Sequence, residues 1–280
     1  AGGVAGIGVE RGAGGQDGMD TWIDLAIAEV NNCYGNSTIA MQVNLVYKSQ
    51  VTYTETGDAP TDLSRLQNSS DGYMDTIHTL RTNCGADLVC LLTESMTSYS
   101  GLAYLMAPVS TNFAAYGFSV VKRSAAVGTY SFAHELSHNM GCTHDRASAT
   151  GPGAFSYSYG YRFTGNNSTV YRTVMAAGTG TRIPYFSNPD VSYQGVATGV
   201  AITETNSANN ALSLSNSAPT VAAFKDAVMI FTLDSSTASV SETNDSVTVT
   251  VRRSGITNAS ADVNYATTNG TATAGNDYTA

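Results

Sequence analysis

His134-Glu135-Leu136-Ser137-His138-Asn139-Met140-Gly141-Cys142-Thr143-His144-Asp145 is the stretch that decides how the rest of the chain is read. His134 and His138 stand four residues apart, so a helix puts both imidazoles on one face, one turn apart. There both can reach a single metal ion at about 2.0–2.1 Å. Glu135 falls between them, beside the metal's open position, where a carboxylate can take a proton from water. Gly141 allows backbone angles that a Cβ forbids, so the chain can turn sharply and return His144 as a third ligand. Three nitrogen donors with one place left for water is the arrangement of a catalytic zinc site, whereas structural sites fill all four places. H-E-x-x-H alone arises by chance in unrelated helices. Here five specified positions fall in register, and three of the chain's four histidines belong to them. The fourth, His78, stands beside Ile77 on an expected helix and reads as a solvated or hydrogen-bonded structural residue.

Around this stretch, helical and strand patterns alternate. Trp22, Ile23, Ala26, Ile27 and Val30 share one face of a helix expected over Met19–Tyr34. Ile39 to Tyr47 alternates apolar and polar, as a half-buried strand does. Thr61 or Asp62 is placed to cap a short helix through Leu63 and Leu66. A second helix is expected from Ser70 or Asp71, through Met74, Ile77 and Leu80, to Gly85. Residues 86–92 form a continuous apolar run, as in a strand covered on both faces. Leu102–Met106 and Phe118–Val121 read as further strands, Ser131–Met140 as the metal-binding helix, and Ala218–Lys225 as a last helix. This order predicts an α/β (α+β) layered domain over residues 1–226. From residue 227 to 280 the pattern becomes all-β, with Val240, Val247, Val249 and Val251 among Ser, Thr and Asn.

Composition narrows the function classes. The chain has 280 residues, a formal net charge of -9, and a charged fraction of 12%. Only Lys48, Lys122 and Lys225 are lysines, and no basic stripe occurs, which argues against nucleic acid as a partner. No apolar run approaches the roughly 20 residues needed to span a bilayer. The chain opens AGGVAGIGVE, without a signal peptide, and reads as a processed form or a fragment. Cys33, Cys84, Cys90 and Cys142 make an even count in a Lys-poor, Ser/Thr/Asn-rich chain. That suits secretion and two disulfides with three possible connectivities; the rival is a set of buried free thiols.

On these motifs the chain resembles the metzincin metallopeptidases over roughly residues 19–226. Tyr171-Arg172-Thr173-Val174-Met175-Ala176 is similar to their Met-turn, with Met175 as the methionine packed beneath the metal. Asp145 after the third histidine resembles the reprolysin (adamalysin-like) branch. Ala177 stands where astacins and serralysins carry an extra zinc-binding tyrosine. Gly101-Leu102-Ala103-Tyr104 resembles the edge strand that binds extended substrate. Arg182-Ile183-Pro184-Tyr185-Phe186-Ser187-Asn188-Pro189 resembles the loop after the Met-turn in bacterial reprolysin-like enzymes, including the peptidyl-Asp metallopeptidase group. The resemblance implies a twisted, mostly parallel sheet with an active-site helix, Zn²⁺ as cofactor, and protein or peptide substrates. Three departures stand out. Ser137 replaces the usual Gly, residues 1–18 offer no evident first strand, and no cysteine-switch propeptide is visible.

From about Ile230 the chain resembles the first half of a Calx-beta domain, a partial β-sandwich. Some members of that family bind Ca²⁺ at positions matching Glu242 and Asp277; otherwise these are solvated turn carboxylates. The expected function is a secreted zinc endopeptidase with Glu135 as general base. The alternatives are a non-catalytic zinc-binding or adhesion protein on the same fold, and a binding module centred on the C-terminal part. Arg182 is the loop's one cation. It either grips an acidic residue just after the cleaved bond, in two parallel hydrogen bonds, or faces solvent or pairs internally with Asp145 or Asp190.

Overall fold

The computed structural model describes residues 3–10, 16–235, 237–239, 241, 246–255, 260–269, 271–275 and 279. The chain separates into two compact units, residues 1–228 and 229–280. In the first, strand β1 (Gly3–Glu10) leads to helix α1 (Gln16–Asn36) and strand β2 (Gln42–Gln50). Helices α2 (Ala59–Gln67) and α3 (Thr76–Cys84) follow, then strands β3 (Leu88–Thr93), β4 (Gly101–Ala103) and β5 (Phe118–Lys122). The single turn α4 (Arg123–Ala126) precedes helix α5 (Ser131–Asn139). Next come short strands β6 (Thr143–Asp145), β7 (Tyr159–Gly160), β8 (Arg162–Thr164), β9 (Val170–Arg172) and β10 (Thr181–Arg182), and helix α6 (Asn210–Val221).

Five strands make one sheet in the order β2-β1-β3-β5-β4. β1 runs parallel to β2 and β3, and β3 parallel to β5; β4 alone is antiparallel, on the edge. The central strand explains the layering. Leu88, Cys90 and Leu92 point into a cluster with Ile23, Val30, Leu136 and Leu214, from α1, α5 and α6. Val89 and Leu91 point into an opposite cluster with Leu63, Leu66 and Ile77, from α2 and α3. Side chains alternate across a strand, so an unbroken apolar run demands cover on both faces. β3 is buried along its whole length.

Several sequence expectations need correction. Residues 1–18 do hold a first strand, β1; Gly and Ala carry little side-chain signal, and its identity lies in pairing with β2 and β3. α2 is capped by Asp58, which accepts from Thr61 N at 3.1 Å. Asp62 lies inside that helix, fully buried, and accepts from Tyr53 Oη at 2.6 Å and Thr56 Oγ1 at 2.8 Å. α3 starts at Thr76 instead of Ser70 or Asp71. Asp71 and Asp75 spend their carboxylates on turn amides at Tyr73 and Gly72. β4 ends at Ala103, short of Met106. α6 starts at Asn210, with Asn209 accepting from Leu212 N at 2.9 Å. Its buried side carries serines as well as apolar residues. Ser213 bonds Ser158 at 2.8 Å and Ser217 donates to Met140 O at 2.7 Å, so apolar period alone misplaces it.

The disulfide expectation also fails. All four cysteines are free and buried. Cys33, Cys90 and Cys142 serve as small apolar side chains in the core, where burial pushes each thiol up to about 12. The composition argument for an oxidising compartment thereby loses its cysteine support.

In the second unit, the described regular structure is one antiparallel pair, Met229–Leu233 with Val251–Gly255. The wider β-sandwich expected there is not seen among the described residues, and Val247, Val249 and Val263 are exposed. Glu242 and Asp277, the calcium candidates, lie outside the described residues. No described helix is long and apolar enough to cross a membrane.

Free core thiols have a direct consequence. Protein unfolded in guanidinium without reductant should titrate four thiols per chain, and native protein should react far more slowly. A count of zero after unfolding would restore the two disulfides.

Candidate metal centre

α5 carries His134, Glu135 and His138 into the core, and eight of its nine residues are buried. The helix ends where Gly141 takes φ +93, a left-handed angle. A Cβ at Gly141 would lie 2.4 Å from Ala154 Cβ and 3.1 Å from Met106 O, so only glycine fits the turn. The turn delivers His144 on β6. Ser137, in the place where a glycine is usual, is accommodated: its hydroxyl donates to Ala133 O at 2.7 Å.

The three imidazoles converge through Nε2. His134 and His144 are 3.1 Å apart, His134 and His138 3.1 Å, and His138 and His144 3.2 Å. His134 Nδ1 meets Val174 O at 2.8 Å, and His138 Nδ1 meets Cys142 O at 2.8 Å. A carbonyl can only accept, so both Nδ1 atoms carry the proton and both Nε2 atoms present lone pairs. Lone pairs crowded to about 3 Å repel unless a cation lies among them. The spacing is close to the roughly 3.3 Å expected between corners of a tetrahedron with bonds of about 2.0–2.1 Å. Donor type, tautomer and spacing therefore all fit a metal ion. Burial, with the neighbouring imidazoles, holds His134 well below the usual histidine range and His138 down at about 4. The metal-free rings thus stay neutral at pH 7, as ligands must.

Glu135 is 5% exposed, and burial lifts its carboxyl to about 8 against the pull of Arg182. It lines a cleft of about 440 Å³ together with the three histidines, Gly101, Leu102, Ala103 and Arg182. Arg182 donates from Nη1 to Thr129 O at 2.9 Å, while its buried Nε has no hydrogen-bond partner. Among the described residues it forms no ion pair with Asp145 or Asp190. Asp145 is held instead by Arg162 Nη2 at 3.0 Å. Burial and nearby Arg172 lower Arg182 to about 10. Met175 is fully buried, one residue after the Val174 carbonyl that holds His134. Sequence reasoning missed the anchors of this turn. Asp145 accepts from Ala177 N at 3.0 Å, and Arg172 Nη1 donates to Ala176 O at 2.9 Å. The one available signal was the acidic residue directly after His144.

Residues 10–187 match the reprolysin-type family model of metallo-peptidase family M12. The chain belongs to family M12. Residues 225–280 match the Calx-beta domain model. Among relatives of the M12 domain, a peptidyl-Asp metalloendopeptidase of Stenotrophomonas maltophilia (strain R551-3) is 41% identical over 211 residues, covering 74% of this chain and 48% of the relative. The peptidyl-Asp metalloendopeptidase of Xanthomonas campestris pv. campestris is 38% identical over 210 residues, covering 74% of this chain and 47% of the relative. The chain thus spans about half the length of these curated relatives. A chain in a solved structure described as "Structure of a chaperone-substrate complex" superposes with TM-score 0.60 at 16% identity, over 79% of this chain and 38% of that one, a likeness of fold alone.

In this M12 domain the turn at Gly141 is the most exacting backbone requirement of the metal centre. Gly141→Ala should cost about 2–4 kcal/mol, from left-handed strain plus overpacking against Ala154. Thermal unfolding and metal analysis should show a lower melting temperature and reduced metal content. An unchanged melting temperature with full metal would contradict the geometry.

Proposed function

We propose that this chain is a zinc-dependent endopeptidase that cuts on the amino side of acidic residues. The observation that carries the reading is the triangle of three imidazole Nε2 atoms with buried Glu135 between two of the histidines in sequence. His134, His138 and His144 would hold the zinc. When bound, zinc lowers the pKa of its water toward about 7 and polarises the scissile carbonyl. Glu135 accepts the proton of the attacking water and delivers it to the leaving amine. Burial favours its protonated form, and a bound dication beside it would draw it back to the carboxylate that can accept a proton. β4 is an antiparallel edge, so its outer backbone groups are free to pair with an extended substrate. Arg182 lines the cleft, where its guanidinium can form charge-assisted hydrogen bonds with a substrate carboxylate. The relatives' name, peptidyl-Asp metalloendopeptidase, supports that preference.

Two outcomes follow. Glu135→Gln should keep one zinc per chain by elemental analysis and lose about 10²–10⁴-fold in peptide cleavage. Cleavage at wild-type rate by that zinc-loaded variant would refute the base, and a protein without zinc would refute the centre. In peptide-library profiling, Arg182→Ala should cut the preference for Asp over Asn after the scissile bond by about 10–100-fold, the value of a charge-assisted pair. A wild-type profile that favours Leu or Phe there, or an Asp preference untouched by the substitution, would rule Arg182 out.

A further inference from the structure

Gly101, on the edge strand β4, lies against the arm of Glu135. A Cβ added there would sit 2.5 Å from Glu135 Cγ, 2.6 Å from its Oε1 and 2.9 Å from its Cδ. Carbon atoms in good contact stand about 3.5–4.0 Å apart, so even one methyl group has no room. Leu102 packs against the cluster under α2 and α3. By strand alternation Gly101 and Ala103 share the other face, toward α5. Neither backbone is free to retreat. Gly101 pairs with Val121, and Lys122 N donates to Ser100 O at 2.9 Å. On the helix side, His134 and His138 are tied through Nδ1 to Val174 and Cys142, and Ala133 and Leu136 lie in the core. The Glu135 side chain is the part that would give way.

We propose that Gly101 is a positioning residue for Glu135: its missing Cβ leaves the space in which the carboxylate lies beside the metal centre. The edge strand then does two things at once. Its backbone takes the substrate, and its glycine sets where the base sits, so substrate and base are referenced to the same strand. This rests on the reading of Glu135 as the general base.

The test is Gly101→Ala in the zinc-loaded full chain, in wild-type and Glu135→Ala backgrounds. Displacing a catalytic group by about 1 Å costs up to about 100-fold, so kcat should fall about 10–100-fold with KM nearly unchanged and zinc content intact. In the wild-type background the melting temperature should fall. With Glu135→Ala the space is empty, alanine is favoured over glycine in the unfolded-state balance, and the melting temperature should hold or rise. An unaltered kcat, a loss confined to KM, or an equal drop in melting temperature in both backgrounds would overturn the proposal. Full activity of Glu135→Gln would remove the base assignment itself, and this proposal with it.

Discussion

Two hydrogen bonds from histidine to backbone carbonyls hold the centre together: His134 Nδ1 to Val174 O and His138 Nδ1 to Cys142 O. Each fixes a tautomer and aims a lone pair inward. The Val174 carbonyl is supplied by a turn about forty residues downstream, anchored in turn by Asp145 and Arg172. The Cys142 carbonyl is supplied by the turn that Gly141 makes possible. Helix, glycine turn and methionine-bearing turn are thus one mechanical unit, and its output is three nitrogen atoms about 3 Å apart.

Burial gives that unit its chemistry. The same dry surroundings that keep His134 and His138 neutral raise the proton affinity of Glu135. Arg182 is the opposing charge, and it too is reluctant to be there, with its pKa lowered and one donor unused. Arg182 and the edge-strand residues Gly101, Leu102 and Ala103 line one cleft, the place proposed for an extended peptide with a carboxylate.

The constellation was readable in the sequence because its spacing follows from helix geometry and from what glycine alone permits. The buried central strand was equally plain, since Leu88 to Leu92 leaves no polar face. β1 was not, because half of its residues are Gly or Ala, which mark no face, and its pairing with β2 and β3 defines it. α6 was misplaced because Ser213 and Ser217 face the core with their hydroxyls satisfied, which apolar periodicity cannot register. The cysteines misled for a related reason: an even count suggests bridges, yet a thiol also fills a core as a small apolar group. Arg182 could be placed on its loop from sequence, whereas its bond to Thr129 O and the pairing of Asp145 with Arg162 join residues far apart in sequence and depend on the fold.

The central claim is that a metal binds through three imidazole nitrogens and through no thiolate. X-ray absorption at the zinc edge of the loaded protein tests it most directly. The expected spectrum has three imidazole nitrogens and one further light atom at about 2.0–2.1 Å, with the outer-shell scattering of imidazole rings. A sulfur shell at about 2.3 Å, or fewer than three imidazoles, would contradict it.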